Sequence, residues 1–189
     1  DDRPAGSRAP LAVWYQYSPD RKGERPQKHL QGFSGILQAD AYSGYDALYR
    51  GGQIVEAGCW AHARRKFYDL FKHEQSPIAQ EALARIGALY AIERDIRGSA
   101  MALRQSVRQR QVAPLLASLK GWLEQVLMSV SAKTELAKAI KYTLGHWAAL
   151  TRYCDDGRIE IDNNTAERSI RPLVLGRRNY LFAGADSGG

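Results

Sequence analysis

The sequence predicts an α/β fold: short strands come first, a block of helices follows, and a helix bearing one carboxylate closes the chain. Three observations carry that expectation. Residues 11–17, 34–40 and 53–60 are short runs of apolar, β-branched and aromatic side chains, of strand length. Residues 76–153 carry apolar stripes at i, i+3, i+4, i+7 spacing, the mark of core-facing helices. Residues 162–184 open on a helix-start pattern and are dense in arginine. The expected units are therefore a partial core over 1–75, a helical insertion over 76–153, and a segment over 154–189 that returns to complete the core.

Residues 1–10 hold Pro4, Gly6 and Pro10 and read as a strand end and a turn. The run through Val13, Trp14, Tyr15 and Tyr17 reads as a strand, broken by Ser18-Pro19-Asp20. A turn and short helix are expected from Pro26 to Gly32. The next run, through Ile36 and Leu37, ends on Asp40. That puts a carboxylate at the C-terminal edge of a buried strand, where open α/β sheets build their sites. A helical turn over 45–49 stops at Gly51-Gly52. A strand over 53–60 is centred on Ile54 and Val55, and a helix over 61–73 bears Arg64, Arg65 and Lys66. Ser76-Pro77 marks a helix N-terminus.

The helical block has three stripes, led by Leu83, Ile86 and Leu89, by Leu116, Leu119 and Leu123, and by Leu136, Ile140 and Leu144. The link at 97–113 carries Arg97, Arg104, Arg108 and Arg110 and reads as a solvated linker before a DNA-facing edge. Asp155-Asp156-Gly157 is a tight turn, and 158–161 a short extended piece.

Bulk chemistry narrows the function. The 189 residues carry 27 Lys+Arg against 20 Asp+Glu, a net charge of +7, and 44% of them are hydrophobic. Arginine supplies most of the excess, which favours bidentate phosphate recognition over a merely solvated basic surface. Charge alone leaves a nucleic-acid partner and a plain basic protein both open. Cys59 and Cys154 are too few for a disulfide framework and suit a reducing cytosol. No segment approaches ~18 uninterrupted apolar residues, so no membrane span is expected. The start on Asp1 and the end on Ser187-Gly188-Gly189 look like a piece of a longer protein.

Two carboxylates stand out by position, Asp40 at a strand end and Glu167 in a first helical turn. Clustered carboxylates that hold hard cations are what metal-assisted phosphoryl chemistry needs. Each has a plainer reading too. Asp40 caps the turn after it, and Asn164-x-x-Glu167 resembles a capping box with Asn164 at the N-cap. Arg168, Arg171, Arg177 and Arg178 surround Glu167 in sequence. Cys59 and His62 form a Cys-x-x-His pair at a strand-to-helix junction. Zinc needs four ligands, and His29, His73, His146 and Cys154 are not paired at metal spacing, so the pair reads as a packed Cys beside a positioned His. Tyr42, Tyr45 and Tyr49 read as core before base-stacking groups. Gly176-Arg177-Arg178 lacks the spacing and the Lys-Ser/Thr pair of a phosphate loop.

Certain stretches together resemble a known family. They are Tyr-Ser-Pro-Asp-Arg-Lys-Gly-Glu at 17–24, Leu-Gln-Ala-Asp-Ala-Tyr-Ser-Gly-Tyr at 37–45, Cys-Trp-Ala-His-Ala-Arg-Arg-Lys-Phe at 59–67, Asp-Asn-Asn-Thr-Ala-Glu-Arg-Ser-Ile-Arg-Pro at 162–172 and Gly-Arg-Arg-Asn-Tyr-Leu-Phe-Ala-Gly at 176–184. In this order they resemble the transposases of the insertion-sequence-66 family, bacterial mobile-element enzymes of the Asp-Asp-Glu type. The resemblance implies a ribonuclease-H-like mixed sheet with an all-helical insertion before the Glu-bearing helix. It implies metal-dependent phosphodiester hydrolysis and strand transfer on double-stranded DNA, at transposon ends and target. Asp40 matches the second Asp and Glu167 the Glu, as ligands of Mg2+ or Mn2+. Arg64, Arg65, Arg168, Arg171, Arg177 and Arg178 would then contact DNA. Cys59 and His62 match a signature seen in several such transposases. A homo-oligomer in the bacterial cytoplasm, associated with the nucleoid, is implied as well.

One departure is plain. The family's first Asp lies on a first strand upstream of these residues, and Asp1 and Asp2 match the end of the second strand instead. The expectation is that this chain alone is inactive and weakened as a fold. The alternatives are a non-catalytic nucleic-acid-binding module and another ribonuclease-H-like nuclease.

Overall fold

A computed structural model describes residues 13–172 and Leu175. They form a mixed α/β structure, mostly helical, around one small parallel sheet. Helix α1 (Glu24–His29) precedes strand β1 (Gly35–Gln38). The chain crosses through α2 (Asp46–Arg50) and returns as β2 (Ile54–Ala57), parallel to β1 with Gly35 opposite Ile54 and Gln38 opposite Ala57. A parallel pair needs such a crossover, and it brings both strand ends to one edge. Asp40 and Cys59 follow those ends directly, and the ladder runs one step further through the Ala39 amide to the Ala57 carbonyl at 3.1 Å.

Helix α3 (Trp60–Glu74) starts at that edge and is the axis of the core. It buries Trp60, Ala63, Phe67 and Leu70, one helical face. The Trp60 indole donates to the Leu150 carbonyl at 2.8 Å, and its backbone amide to the Ile161 carbonyl at 3.1 Å. A buried indole with its N–H satisfied loses none of its packing gain to desolvation. Helix α4 (Pro77–Asp95) begins as its sequence predicts, with Pro77 in the first turn and Ser76 Oγ accepting from the Ala79 amide at 3.3 Å. Its buried Ala79 and Ala82 let the α4 backbone approach α3 closely, and Ile86 and Leu89 fill the rest.

Helices α5 (Met101–Val107), α6 (Ala113–Ser129), α7 (Glu135–Gly145) and α8 (Trp147–Thr151) complete the helical layer. A π-helical turn, Arg108–Val112, joins α5 to α6. Leu116, Leu119, Leu123 and Ile140 are buried, as their stripes predict. Trp147 meets Trp60 edge-on, with ring centroids 5.9 Å apart. The short helix α9 (Asn164–Ser169) is the last of these elements and carries Glu167.

The structure departs from the sequence reading first at the N-terminal run. Residues 13–17 of the expected first strand are not a strand, and Trp14 is 68% exposed. β-propensity is a fit to a paired, half-buried surface, and no strand among the described residues pairs with this run. Instead it lies against the end of α9, with the Tyr15 hydroxyl donating to the Ser169 carbonyl at 2.6 Å.

The 97–113 link is no solvated linker. Arg104 and Arg108, one helical turn apart, point inward and are buried. Glu93 supplies the reason. Arg108 Nε and Nη2 donate to its two carboxylate oxygens at 2.8 and 2.7 Å, and Arg108 Nη1 donates to the Tyr153 and Asp156 carbonyls at 2.8 and 3.1 Å. Arg104 Nη2 pairs with Glu160 at 2.8 Å. The network ties α4 and α5 to the return over 153–160. That return is itself not a strand, but Gln38 Nε2 holds it to the sheet by donating to the Glu160 carbonyl at 2.6 Å.

The predicted turn at Gly157 has a steric cause. A Cβ there would sit 2.0 Å from the Met101 carbonyl oxygen, a backbone atom that cannot swing aside. Gly157→Ala should therefore cost about 1–3 kcal/mol through forced backbone shifts. A denaturant titration of the variant checks this, and an unchanged midpoint would contradict the close packing of the turn on α5.

Candidate active site

Asp40 is exposed and leaves β1 at the C-terminal edge of the sheet. The next residue, Ala41, has φ +58°, a left-handed conformation that L residues other than Gly, Asn and Asp seldom adopt. The chain thus turns sharply just after the carboxylate. Below it Tyr42, Tyr45 and Tyr49 are half-buried. Tyr42 meets Tyr45 edge-on at 5.6 Å, and its hydroxyl donates to the Arg21 carbonyl. Burial, followed by the nearby Asp40 carboxylate, raises the Tyr45 phenol above its usual range.

Cys59 and His62 sit where β2 passes into α3. Cys59 is buried, and that burial raises its thiol. The amides of Asn163, His62 and Ala61 lie near the sulfur and oppose the shift, without closing a capping hydrogen bond. Together with the Trp60 amide on the Ile161 carbonyl, this joins the junction to the loop that precedes α9. His62 Nε2 stands 3.4 Å from Glu167 Oε1. The structure therefore brings His62 and Glu167 together beside the edge that bears Asp40. Cys154, the other thiol, is pushed up to about 12, chiefly by burial. Both thiols should resist alkylation at mild alkaline pH in the folded chain and react at once in denaturant, because only the thiolate is nucleophilic. Thiol titration with and without denaturant reads this, and a fast-reacting native thiol would contradict the buried junction.

The start of α9 differs from the sequence reading. Asn164 is the first helical residue, not the cap, and Asn163 makes no side-chain cap. Asp162 takes that part. Its Oδ1 accepts from the Asn164 amide at 3.1 Å, and its Oδ2 from Asn164 Nδ2 at 2.8 Å and the Tyr90 hydroxyl at 3.0 Å. Asp side chains bond readily to the amide two residues on, and Tyr90 adds a tertiary anchor. Glu167 is thereby freed from the reciprocal bond of a capping box, and its side chain is 46% exposed. Sequence reasoning missed Asp162 and Tyr90; the Asp-x-Asn spacing was the available signal.

Arg64 and Arg65 are exposed on α3, and Arg168 and Arg171 are exposed around α9. Arg177 and Arg178 lie outside the described residues. Asp40 and Glu167 offer the hard oxygen donors that Mg2+ or Mn2+ takes. Among the described residues, no three His, Cys, Asp or Glu side chains gather as a metal site. The donor type fits a divalent ion; the number of ligands is short of a closed centre. No helix among the described residues is long and apolar enough to cross a membrane.

A family model described as transposase IS66 family matches residues 1–189. Three similar proteins come from Sinorhizobium fredii. The uncharacterized protein y4jD is 42% identical over 195 residues, which is 100% of this chain and 38% of the relative. The uncharacterized protein y4hP is 41% identical over 204 residues, 100% of this chain and 37% of its own length. The uncharacterized protein y4qI is 43% identical over 196 residues, 100% of this chain and 36% of its own length. The chain thus spans less than two-fifths of the length of these curated relatives. No solved structure matches it.

Proposed function

The chain belongs to the transposase IS66 family, and on that footing we propose that it forms the Asp- and Glu-bearing part of a DNA transposase catalytic core with a ribonuclease-H-like sheet. The observation that carries this reading is the approach of His62 to Glu167 at 3.4 Å, beside the sheet edge where Asp40 emerges. In the intact enzyme, water attacks a phosphodiester at the element's end and the 3′-oxygen leaves as a free hydroxyl. That hydroxyl then attacks a phosphodiester of target DNA, and a new bond forms as the target strand breaks. Asp40 and Glu167 would hold Mg2+ or Mn2+, with a further ligand from the longer protein, and the bound ion would polarise the phosphate.

The residues of this chain divide the remaining work. His62 fixes the Glu167 carboxylate, as outer partners of metal-binding carboxylates do. Arg168 and Arg171, with Arg64 and Arg65, grip the DNA backbone, and Arg177 and Arg178 extend that grip. A homo-oligomer acting on double-stranded DNA in the bacterial cytoplasm follows from the same reading, because two element ends must be joined.

The test is strand cleavage and joining of element-end DNA by the full-length protein. Asp40→Ala and Glu167→Ala should each abolish both steps and leave DNA binding intact. Cleavage retained in either variant refutes the assignment.

A further inference from the structure

A groove runs along the seam of α3 and α4, beside the site. Its cavity volume is about 880 Å³. Arg64, Arg65, Tyr68 and Tyr90 line it, and Asn164, the first residue of the Glu167 helix, closes one end. Ala61 at that end and Tyr68 at the other are two helical turns apart, about 10 Å at 1.5 Å per residue. Ala61, Arg64, Arg65 and Tyr68 share one face of α3 by their i, i+3, i+4, i+7 spacing.

Three features of the groove favour a flat, anionic guest. Tyr68 is 46% exposed, an unusual place for a large ring on a helix whose other face is the core. The Arg64 guanidinium lies 6.0 Å from the centre of the Tyr68 ring, so cation and ring already form one platform. The groove floor on α4 is Gly87, where an added Cβ would meet nothing within 4 Å. A mid-helix glycine costs about 1 kcal/mol against alanine, and here its missing side chain keeps the seam open. Asp69 also borders the groove, the one carboxylate in its lining among the described residues, against two arginines.

We infer that this groove binds a single unpaired nucleotide of the DNA strand flanking the scissile phosphate. The base stacks on Tyr68, and its phosphates lie along Arg64 and Arg65. The lining spans about 10 Å of α3 between two packed helices, so the groove takes one ring and not a double helix. Stacking on an aromatic side chain suits any base. The inference rests on the transposase reading and names where the strand goes after it leaves Glu167.

The experiment uses the full-length protein and two DNA probes, a blunt duplex and a forked duplex with 2-aminopurine in its unpaired arm. Binding of the fork should quench the 2-aminopurine. Tyr68→Ala should abolish the quench and weaken fork binding about 5- to 150-fold, whereas Tyr68→Phe keeps both. Gly87→Leu fills the groove from a site with room for it and with better helix propensity. It should melt no lower than the parent and lose the fork as Tyr68→Ala does. Joint loss of Arg64 and Arg65 to alanine should flatten the salt dependence of fork binding by about 1.4 in log–log slope.

Fork binding and quench unchanged in both Tyr68→Ala and Gly87→Leu would overturn the inference. A chain that binds the duplex but shows no preference for the fork overturns it as well, and leaves the transposase reading standing on its cleavage test. A chain that binds neither probe removes the DNA-binding half of both.

Discussion

Arg108→Ala should destabilise the fold by about 3–5 kcal/mol, the cost of stranding a buried charge. Arg108 is fully buried, and its guanidinium makes four hydrogen bonds: two to Glu93 and one each to the Tyr153 and Asp156 carbonyls. The attraction within the pair is not what sets the loss, since it offsets the desolvation of both ions only in part. The loss comes from what is left behind. Glu93 is 7% exposed, and its next cation, Arg104, is 3.8 Å away and already closer to Glu160. The Tyr153 carbonyl loses a donor as well, and the Asp156 carbonyl is left with the Ile159 amide. Against a total stability of about 5–15 kcal/mol, such a loss brings the chain near unfolding at ordinary temperature.

Arg108→Lys should recover little, because one ammonium cannot reproduce a bidentate fork and two carbonyl bonds. The joint variant Glu93→Leu with Arg108→Met should recover most of the loss, since no charge is then buried alone. Urea denaturation followed by circular dichroism measures all three. A loss below about 1 kcal/mol in Arg108→Ala, the scale of a surface pair, would show that water reaches the network.

The same network explains why part of the fold was legible in the chain and part was not. The edge at Asp40 could be read because an apolar run ending on a carboxylate is a local pattern. So could the start of α4, where Ser76 and Ala79 are three residues apart and bond directly. Arg104 and Arg108 read as solvent-facing because their partner Glu93 meets them only after the chain has reversed between α4 and α5. Residues 13–17 carry strand-forming side chains, but strand formation needs a neighbour that local sequence does not name. The cap of α9 failed for another reason. Asp162, Asn163 and Asn164 are all good caps, and the Tyr90 hydroxyl, far away in sequence, settles the choice on Asp162. The signature pair was visible as Cys59 and His62, while its partners, the Asn163 amide and the Glu167 carboxylate, come from the other end of the chain.

That geometry makes Glu167→Gln the sharpest test of the site. Cleavage by the full-length protein should fall by about 10³-fold or more, a loss at the upper end of that for one preorganised electrostatic group. The fold should not notice. Glu167 is half exposed on a helix with no buried residue, so its exchange belongs with surface substitutions of about ±0.5 kcal/mol. Gln keeps the shape and removes the charge, which separates the carboxylate's chemistry from its bulk. His62→Ala should lower cleavage less, about 10- to 100-fold, with DNA affinity unchanged, because it only orients the carboxylate. His62→Gln should restore part of the loss by offering a donor near the same place. In the double variant, His62→Ala should add nothing once Glu167 is Gln, since residues acting as a unit are non-additive. Full additivity would place His62 in some other role, and a Glu167→Gln protein that still cleaves would move the catalytic carboxylate elsewhere in the chain.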